Sequence, residues 1–105
     1  MAWKLVWSPP ARRHLLDHTG WLADRNPAAA VRFVDQVSEQ AAVLLEHPHL
    51  APLWELHPEM GVRRLVTGKH LLYYEVLEDL EVVLILTVRH ARERVPEPDD
   101  VKLLP

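Results

Sequence analysis

The hydrophobic pattern of this chain differs between the segments on either side of Gly61, and that difference limits the folds available to it. Over residues 9–46 apolar residues recur at helical spacing, whereas after Gly61 they alternate with polar residues as in strands. Two helical segments followed by a group of strands predict an α+β domain. The clearest helical stripe consists of Ala30, Val34, Val37, Ala41 and Leu44.

The first half of the chain predicts one strand and two helices. Residues 3–7 alternate large apolar side chains with smaller or polar ones, which is typical of a short strand. Ser8 precedes two prolines and should begin a helix, because its hydroxyl can cap free amides and proline suits the first turn. Asn26 and Pro27 end this helix and begin the next, so the two helices should form an antiparallel hairpin.

The second half predicts three strands, over residues 62–67, 70–77 and 82–89, joined by short turns. Short turns connect antiparallel strands. The last strand is apolar on both faces, so we expect it to be central or covered on both sides. The expected fold is therefore α+β, in the order β-α-α-β-β-β, with an antiparallel sheet packed against an N-terminal helical hairpin.

Residues 48–60 contain three prolines and no clear period, which predicts an irregular loop. The loop is too apolar to lie free in solvent, so we expect it to lie across the sheet or the helices. A length of 105 residues corresponds to one small domain. We expect residues 1–95 to form that domain and residues 96–105 to be a mobile C-terminal tail.

The composition excludes several classes of function. The absence of cysteine excludes disulfides, thiolate nucleophiles and cysteine metal sites. A net charge of −3 disfavours direct binding to DNA or RNA, which needs a basic surplus. The residues after Met1 do not resemble a secretion signal, and the longest apolar run, residues 82–88, is too short for a membrane span. These features predict a cytoplasmic protein.

The seven histidines raise the question of a metal site. His14 and His18 stand one helical turn apart, a spacing that can hold zinc. No third ligand is identifiable by spacing, and no glutamate lies between the two as in the zinc-hydrolase pattern. We therefore expect no metal and no other cofactor, since a glycine-rich phosphate loop is also missing.

Four segments of the sequence have the order and spacing of a known toxin family. They are Trp7-Ser8-Pro9 before the first helix, Asn26-Pro27-Ala28-Ala29-Ala30 at the start of the second, residues 61–76 with the paired Tyr73-Tyr74, and residues 83–92 ending in His90-Ala91-Arg92. Across residues 3–94 the chain resembles the RelE/ParE superfamily of toxins from type II toxin–antitoxin systems. The resemblance implies the fold expected above and a small antitoxin as partner in a hetero-oligomer.

The superfamily implies two alternative activities. RelE-like members are endoribonucleases that cleave mRNA on the ribosome, which requires a base, an acid and cations to stabilise the transition state. For this activity the resemblance indicates His90 and, near the position of a family arginine, His70 or Lys69 one place earlier. Arg64 and Arg89 would then contact the phosphate. The tyrosine or lysine that usually completes the set after His90 is missing, as are the helical lysines of ribosome-binding members.

ParE-like members inhibit DNA gyrase, and the resemblance favours this branch. On this interpretation the chain binds gyrase without chemistry of its own, and it contacts no DNA directly. A third alternative is a non-toxic member that only binds its antitoxin. We expect target contacts at Arg64, Arg89, Arg92 and Arg94, and antitoxin contacts at Leu15, Trp21, Leu22 and Trp54.

Overall fold

The computed structural model describes residues 3–102, so the ends of the expected domain and tail, residues 1–2 and 103–105, lie outside the described residues. The elements follow the predicted order, with a short helix added at the end of the described chain. They are β1 (Lys4–Trp7), α1 (Pro9–Arg25), α2 (Pro27–Glu46), β2 (Arg63–Thr67), β3 (His70–Leu77), β4 (Val82–His90) and α3 (Pro98–Val101).

Two polar side chains set the boundaries of the helical hairpin. The Ser8 hydroxyl accepts the Ala11 amide at 3.1 Å and donates to the Leu86 carbonyl at 2.9 Å, which ties the start of α1 to β4. Asn26 ends α1 and begins α2, because its own amide donates to the Leu22 carbonyl and its side chain accepts the Ala29 amide. Both predicted caps are confirmed.

The sheet has the strand order β1-β4-β3-β2 over the described residues. Strands β2, β3 and β4 form the predicted antiparallel meander, and β4 is central as expected. The fold class is confirmed with one difference: β1 pairs with β4 in parallel, so the sheet is mixed. The short turns that predicted antiparallel pairing join only β2, β3 and β4, whereas most of the chain separates β1 from β4 and permits a parallel pair.

Each face of the sheet carries its own apolar cluster, because successive side chains of a strand point to opposite faces. On one face, Leu72 and Tyr74 pack with Phe33 of α2 and Ala11 of α1. On the other face, Tyr73 packs with residues of the loop that follows α2. This loop crosses the sheet, as the apolar content of residues 48–60 predicted.

The segment after β4 also contacts the second face. Val101 of α3 is 4% exposed and belongs to the same cluster as Tyr73. The Lys102 ammonium donates to the Met60 carbonyl at 3.2 Å and pairs with Glu75 at 3.1 Å. The segment predicted as a mobile tail is therefore in contact with the domain through residues 101–102, and its mobility stays a prediction.

None of the helices in residues 3–102 combines the length and the apolar character needed to cross a bilayer.

Candidate functional site

A cleft of about 940 Å³ lies where the helical hairpin meets one end of the sheet. Side chains from α1 and α2 form one side, and the β2–β3 turn with the end of β4 forms the other. Its size falls in the range of ligand-binding pockets. The lining residues are His14, Asp17, His18, Trp21, Leu22, Ala29, Arg32, Phe33, Gln36, Gly68, Lys69, His70, Val88, Arg89, His90, Arg92 and Glu93.

Three histidines from different elements meet in this cleft. The register of β3 and β4 places His70 directly opposite His90, and their ring centres are 5.2 Å apart. The Nε2 atoms of His70 and His18 lie 2.9 Å apart, so one ring donates a hydrogen bond to the other and links β3 to α1. Phe33 of α2 packs against both rings, with centres 4.3 Å from His70 and 4.9 Å from His18.

The environment of these rings favours their neutral forms. Burial, and then the neighbouring His18 and His90, lower the pKa of His70 from 6.5 to about 4. Burial, and then His90, also lower the pKa of His18. The Nδ1 atom of His70 is buried without a hydrogen-bond partner among the described residues. An unpartnered lone pair costs less than an unpartnered N–H, so we assign the proton of His70 to Nε2, which donates to His18.

His14 has a different partner from His18. Its Nδ1 lies 2.9 Å from the hydroxyl of Thr87, a fully buried residue of β4. Burial lowers the pKa of His14, and Arg89 and Arg13 lower it further. The two histidines that are one turn apart are therefore engaged in separate contacts, and no group of three or more potential ligands within residues 3–102 is arranged to hold a metal ion.

The structure brings together two of the four arginines predicted to contact a target. Arg89 and Arg92 both line the cleft, beside His70 and His90. The backbone amide of Arg92 donates to Nδ1 of His90 at 3.0 Å, which fixes the turn after β4.

Arg64 and Arg94 do not line this cleft. Arg64 lies on the edge strand β2, opposite Tyr73, and Arg94 is exposed beyond the turn. The nuclease set of His90, Arg64, Arg89 and His70 is therefore only partly assembled, because Arg64 is outside the cleft that the other three share.

The residues predicted to contact an antitoxin lie in three environments. Trp21 is 51% exposed, and Leu22 beside it is partly buried; both line the cleft. Leu15 is partly buried against the helix-side core. Trp54 is 0% exposed, 5.2 Å from the ring of Tyr73, so the expectation of an accessible contact fails for it, because the loop folds its ring into the second core.

Sequence reasoning did not identify Phe33, Arg32 and Glu93 as members of the site. Phe33 had a usable signal, since it is the only phenylalanine of the chain and lies one turn before Val37 on the buried side of α2. Glu93 follows Arg89 by four residues, but that spacing predicts an ion pair only within a helix, and this segment is not helical.

Comparison with known proteins places the chain among the toxins of type II toxin–antitoxin systems. The sequence model of the family described as "ParE toxin of type II toxin-antitoxin system, parDE" matches residues 5–95, and the chain belongs to this family. It is also 34% identical over 91 residues to toxin RelE3 of Caulobacter vibrioides, covering 82% of this chain and 91% of that protein.

Solved structures show the same fold at low sequence identity. The chromosomal ParDE system from P. aeruginosa contains a chain with a TM-score of 0.69 and 19% identity, covering 87% of this chain and 98% of that one. The intact E. coli RelBE toxin–antitoxin complex gives a TM-score of 0.60 and 19% identity, covering 88% and 100%. The family match and the curated relative confirm the resemblance inferred from the sequence, and these structures show that the fold is the same.

Proposed function

We propose that this toxin binds DNA gyrase without performing chemistry itself, and that a cognate antitoxin neutralises it in a hetero-oligomer. The cytoplasm is the compartment where such a target is met. The match to the ParE toxin family supports the target, and the related toxin–antitoxin complexes support the partner. One observation, made at His70, favours a binding mechanism over a catalytic one.

His70 stands near the position where the resemblance places an arginine in the nuclease members. Cleavage of RNA develops negative charge at the phosphate, and a preorganised cation at that point stabilises the transition state. Here the residue is 8% exposed, it is bound to His18, and its pKa is lowered to about 4. At neutral pH it carries no charge, so His70 itself offers no cation to a scissile phosphate.

Two of the other candidates for catalysis have contacts within the chain. Nδ1 of His90 accepts the Arg92 amide, and the Arg89 guanidinium faces the Glu93 carboxylate at 3.5 Å. We assign Arg89 and Arg92 to target binding at the cleft. Arg64 and Arg94 are proposed as further target contacts outside it.

The test is expression of the toxin under a tight promoter, with viability, the DNA damage response and bulk translation followed together. We expect growth arrest with filamentation and DNA damage signalling while translation continues. Purified toxin should inhibit supercoiling by purified gyrase. The Arg89→Ala/Arg92→Ala variant should lose both effects, whereas Arg12→Ala/Arg13→Ala, which removes two exposed arginines outside this cleft, should keep them.

The mRNA endoribonuclease is the second candidate, favoured by the presence of His70, His90 and Arg89 in one cleft and by the relative named RelE3. Early arrest of translation with ribosome-dependent cleavage of mRNA would replace the gyrase proposal with this one. Normal growth in the presence of soluble toxin would instead identify a member that only binds its antitoxin.

A further inference from the structure

The cleft already holds a carboxylate of its own chain beside Arg89. One oxygen of Glu93 accepts the His90 amide at 3.0 Å, and the other lies 3.5 Å from Nη1 of Arg89. This second contact is long for a charge-assisted hydrogen bond, which is usually below 3 Å. Nε of Arg89 is buried without a partner among the described residues. The guanidinium therefore has donors that Glu93 satisfies only weakly.

The charge around this pair is positive although the chain as a whole is negative. Besides Arg89, the cleft is lined by the exposed cations Arg32, Lys69 and Arg92, against the two acids Asp17 and Glu93. The formal net charge of the chain is −3. The cleft consequently attracts an anionic group to a molecule that otherwise repels anions.

An ordered apolar side chain lies in the same cleft. The Arg25 guanidinium stands over the ring of Trp21 at 4.1 Å, and the ring of His18 is parallel to that ring within 8°. These contacts hold Trp21 in one orientation while half of its surface remains exposed. Tryptophan and arginine are enriched at the hot spots of protein interfaces, and a side chain that is already held in one orientation loses less entropy on binding.

We propose that this cleft receives a segment of the antitoxin that carries a carboxylate beside a large apolar side chain. The carboxylate replaces Glu93 at Arg89, and the apolar side chain packs on Trp21. This inference rests on the proposed function, because it names the part of the antitoxin recognised by the toxin. The bound segment covers Arg92, so it blocks the contacts that we assign to the target.

A peptide fits this site better than RNA does. Affinity for nucleic acid comes from neutralising several phosphates, and the net charge of −3 on the chain opposes a polyanion that extends beyond the cleft. A single carboxylate next to an apolar group uses Arg89 and Trp21 without that repulsion.

The experiment measures the affinity of the purified antitoxin, defined as the protein that suppresses toxicity on co-expression, for four variants of full-length toxin. Glu93→Gln removes the competing charge and keeps an acceptor for the His90 amide, so binding should tighten by roughly threefold to fivefold. Glu55→Gln makes the same charge change at an exposed loop residue outside the cleft and should not alter affinity. Trp21→Ala should weaken binding by about tenfold or more, while Leu16→Ala, also exposed on α1, should have no effect.

The outcomes separate this inference from the proposed function. Binding of the antitoxin to wild-type toxin with no response to either Glu93→Gln or Trp21→Ala overturns the inference and leaves the proposed function standing. Failure of wild-type toxin to bind any antitoxin overturns the proposed function. If Glu93→Gln tightens binding of a fluorescein-labelled decauridylate and leaves antitoxin affinity unchanged, the cleft is an RNA site and the inference is wrong.

Discussion

The neutral state of His70 makes the stability of this toxin depend on pH by an amount that can be calculated. Its pKa is about 4 in the folded chain and 6.5 for an unperturbed histidine, which represents the unfolded chain. As the pH falls below 6.5, the unfolded chain takes up this proton first, so stability is lost progressively until the pH reaches the folded-state value. Between pH 7 and pH 5, this group alone should lower the free energy of unfolding by about 2 kcal/mol.

The assay is urea unfolding followed by circular dichroism at several pH values, applied to wild type and His70→Gln. The glutamine amide retains a donor toward Nε2 of His18 and does not titrate. The variant should therefore lose about 2 kcal/mol less than wild type over the same interval. A remaining acid sensitivity is expected, because the pKa values of His14 and His18 are lowered as well.

The matched control is His47→Gln, which removes an exposed histidine at the end of α2. This variant should show the same pH dependence as wild type. If His70→Gln and wild type lose stability in parallel between pH 7 and pH 5, His70 is not held neutral by the fold, and the reasoning from burial is refuted.

Three further predictions concern the framework of the site and use the same unfolding assay. Gly68→Ala should lower the free energy of unfolding by about 1–2 kcal/mol, since the φ of Gly68 is 60°, in the left-handed region, and the added Cβ would lie 3.0 Å from Gln36. Gly20→Ala is the matched control in α1, where the added Cβ meets nothing within 4 Å, and it should raise the free energy of unfolding by about 0.5–1 kcal/mol. Ser8→Ala should cost about 0.5–2 kcal/mol through loss of the α1 cap. Val101→Ala should cost about 1–2 kcal/mol if α3 stays packed in solution, and an unchanged stability would show that the segment is mobile there.

The helical hairpin could be predicted almost completely because its signals are local. Ser8 and Asn26 each act on amides three residues away, so the sequence contains both partners of each cap. The pairing of β1 with β4 has no such signal, since Lys4 and its partner Val82 are separated by nearly the whole domain. Periodicity predicted that β1 is a strand and could not predict its neighbour or its direction.

Trp54 shows a related limit for the loop. Its apolar neighbours predicted that the segment is covered, and this was correct, but composition does not say what covers it. The structure supplies the answer within the same chain, because the ring packs against Tyr73 and the amide of Trp54 bonds to the Val62 carbonyl at 2.8 Å.

The site could be predicted only in pieces. Spacing along a helix drew attention to His14 and His18 as a pair, and the structure instead pairs His18 with His70, which is 52 residues away. That contact depends on how α1 packs on the sheet and on the register that sets His70 beside His90. Packing and register are properties of the folded chain, so no local motif in the sequence predicts this contact.

The same side chain therefore links the stability of the fold to the choice between a binding toxin and a nuclease. Burial that helps His70 pack between α1 and β3 also keeps its ring neutral, so at the pH of the cell the ring offers no positive charge to a scissile phosphate. NMR titration of its ring protons decides the point in the wild-type protein. A pKa near 4 supports both the predicted acid sensitivity and the non-catalytic mechanism. A pKa near 6.5 removes the basis of the predicted acid sensitivity and the main argument for the non-catalytic mechanism.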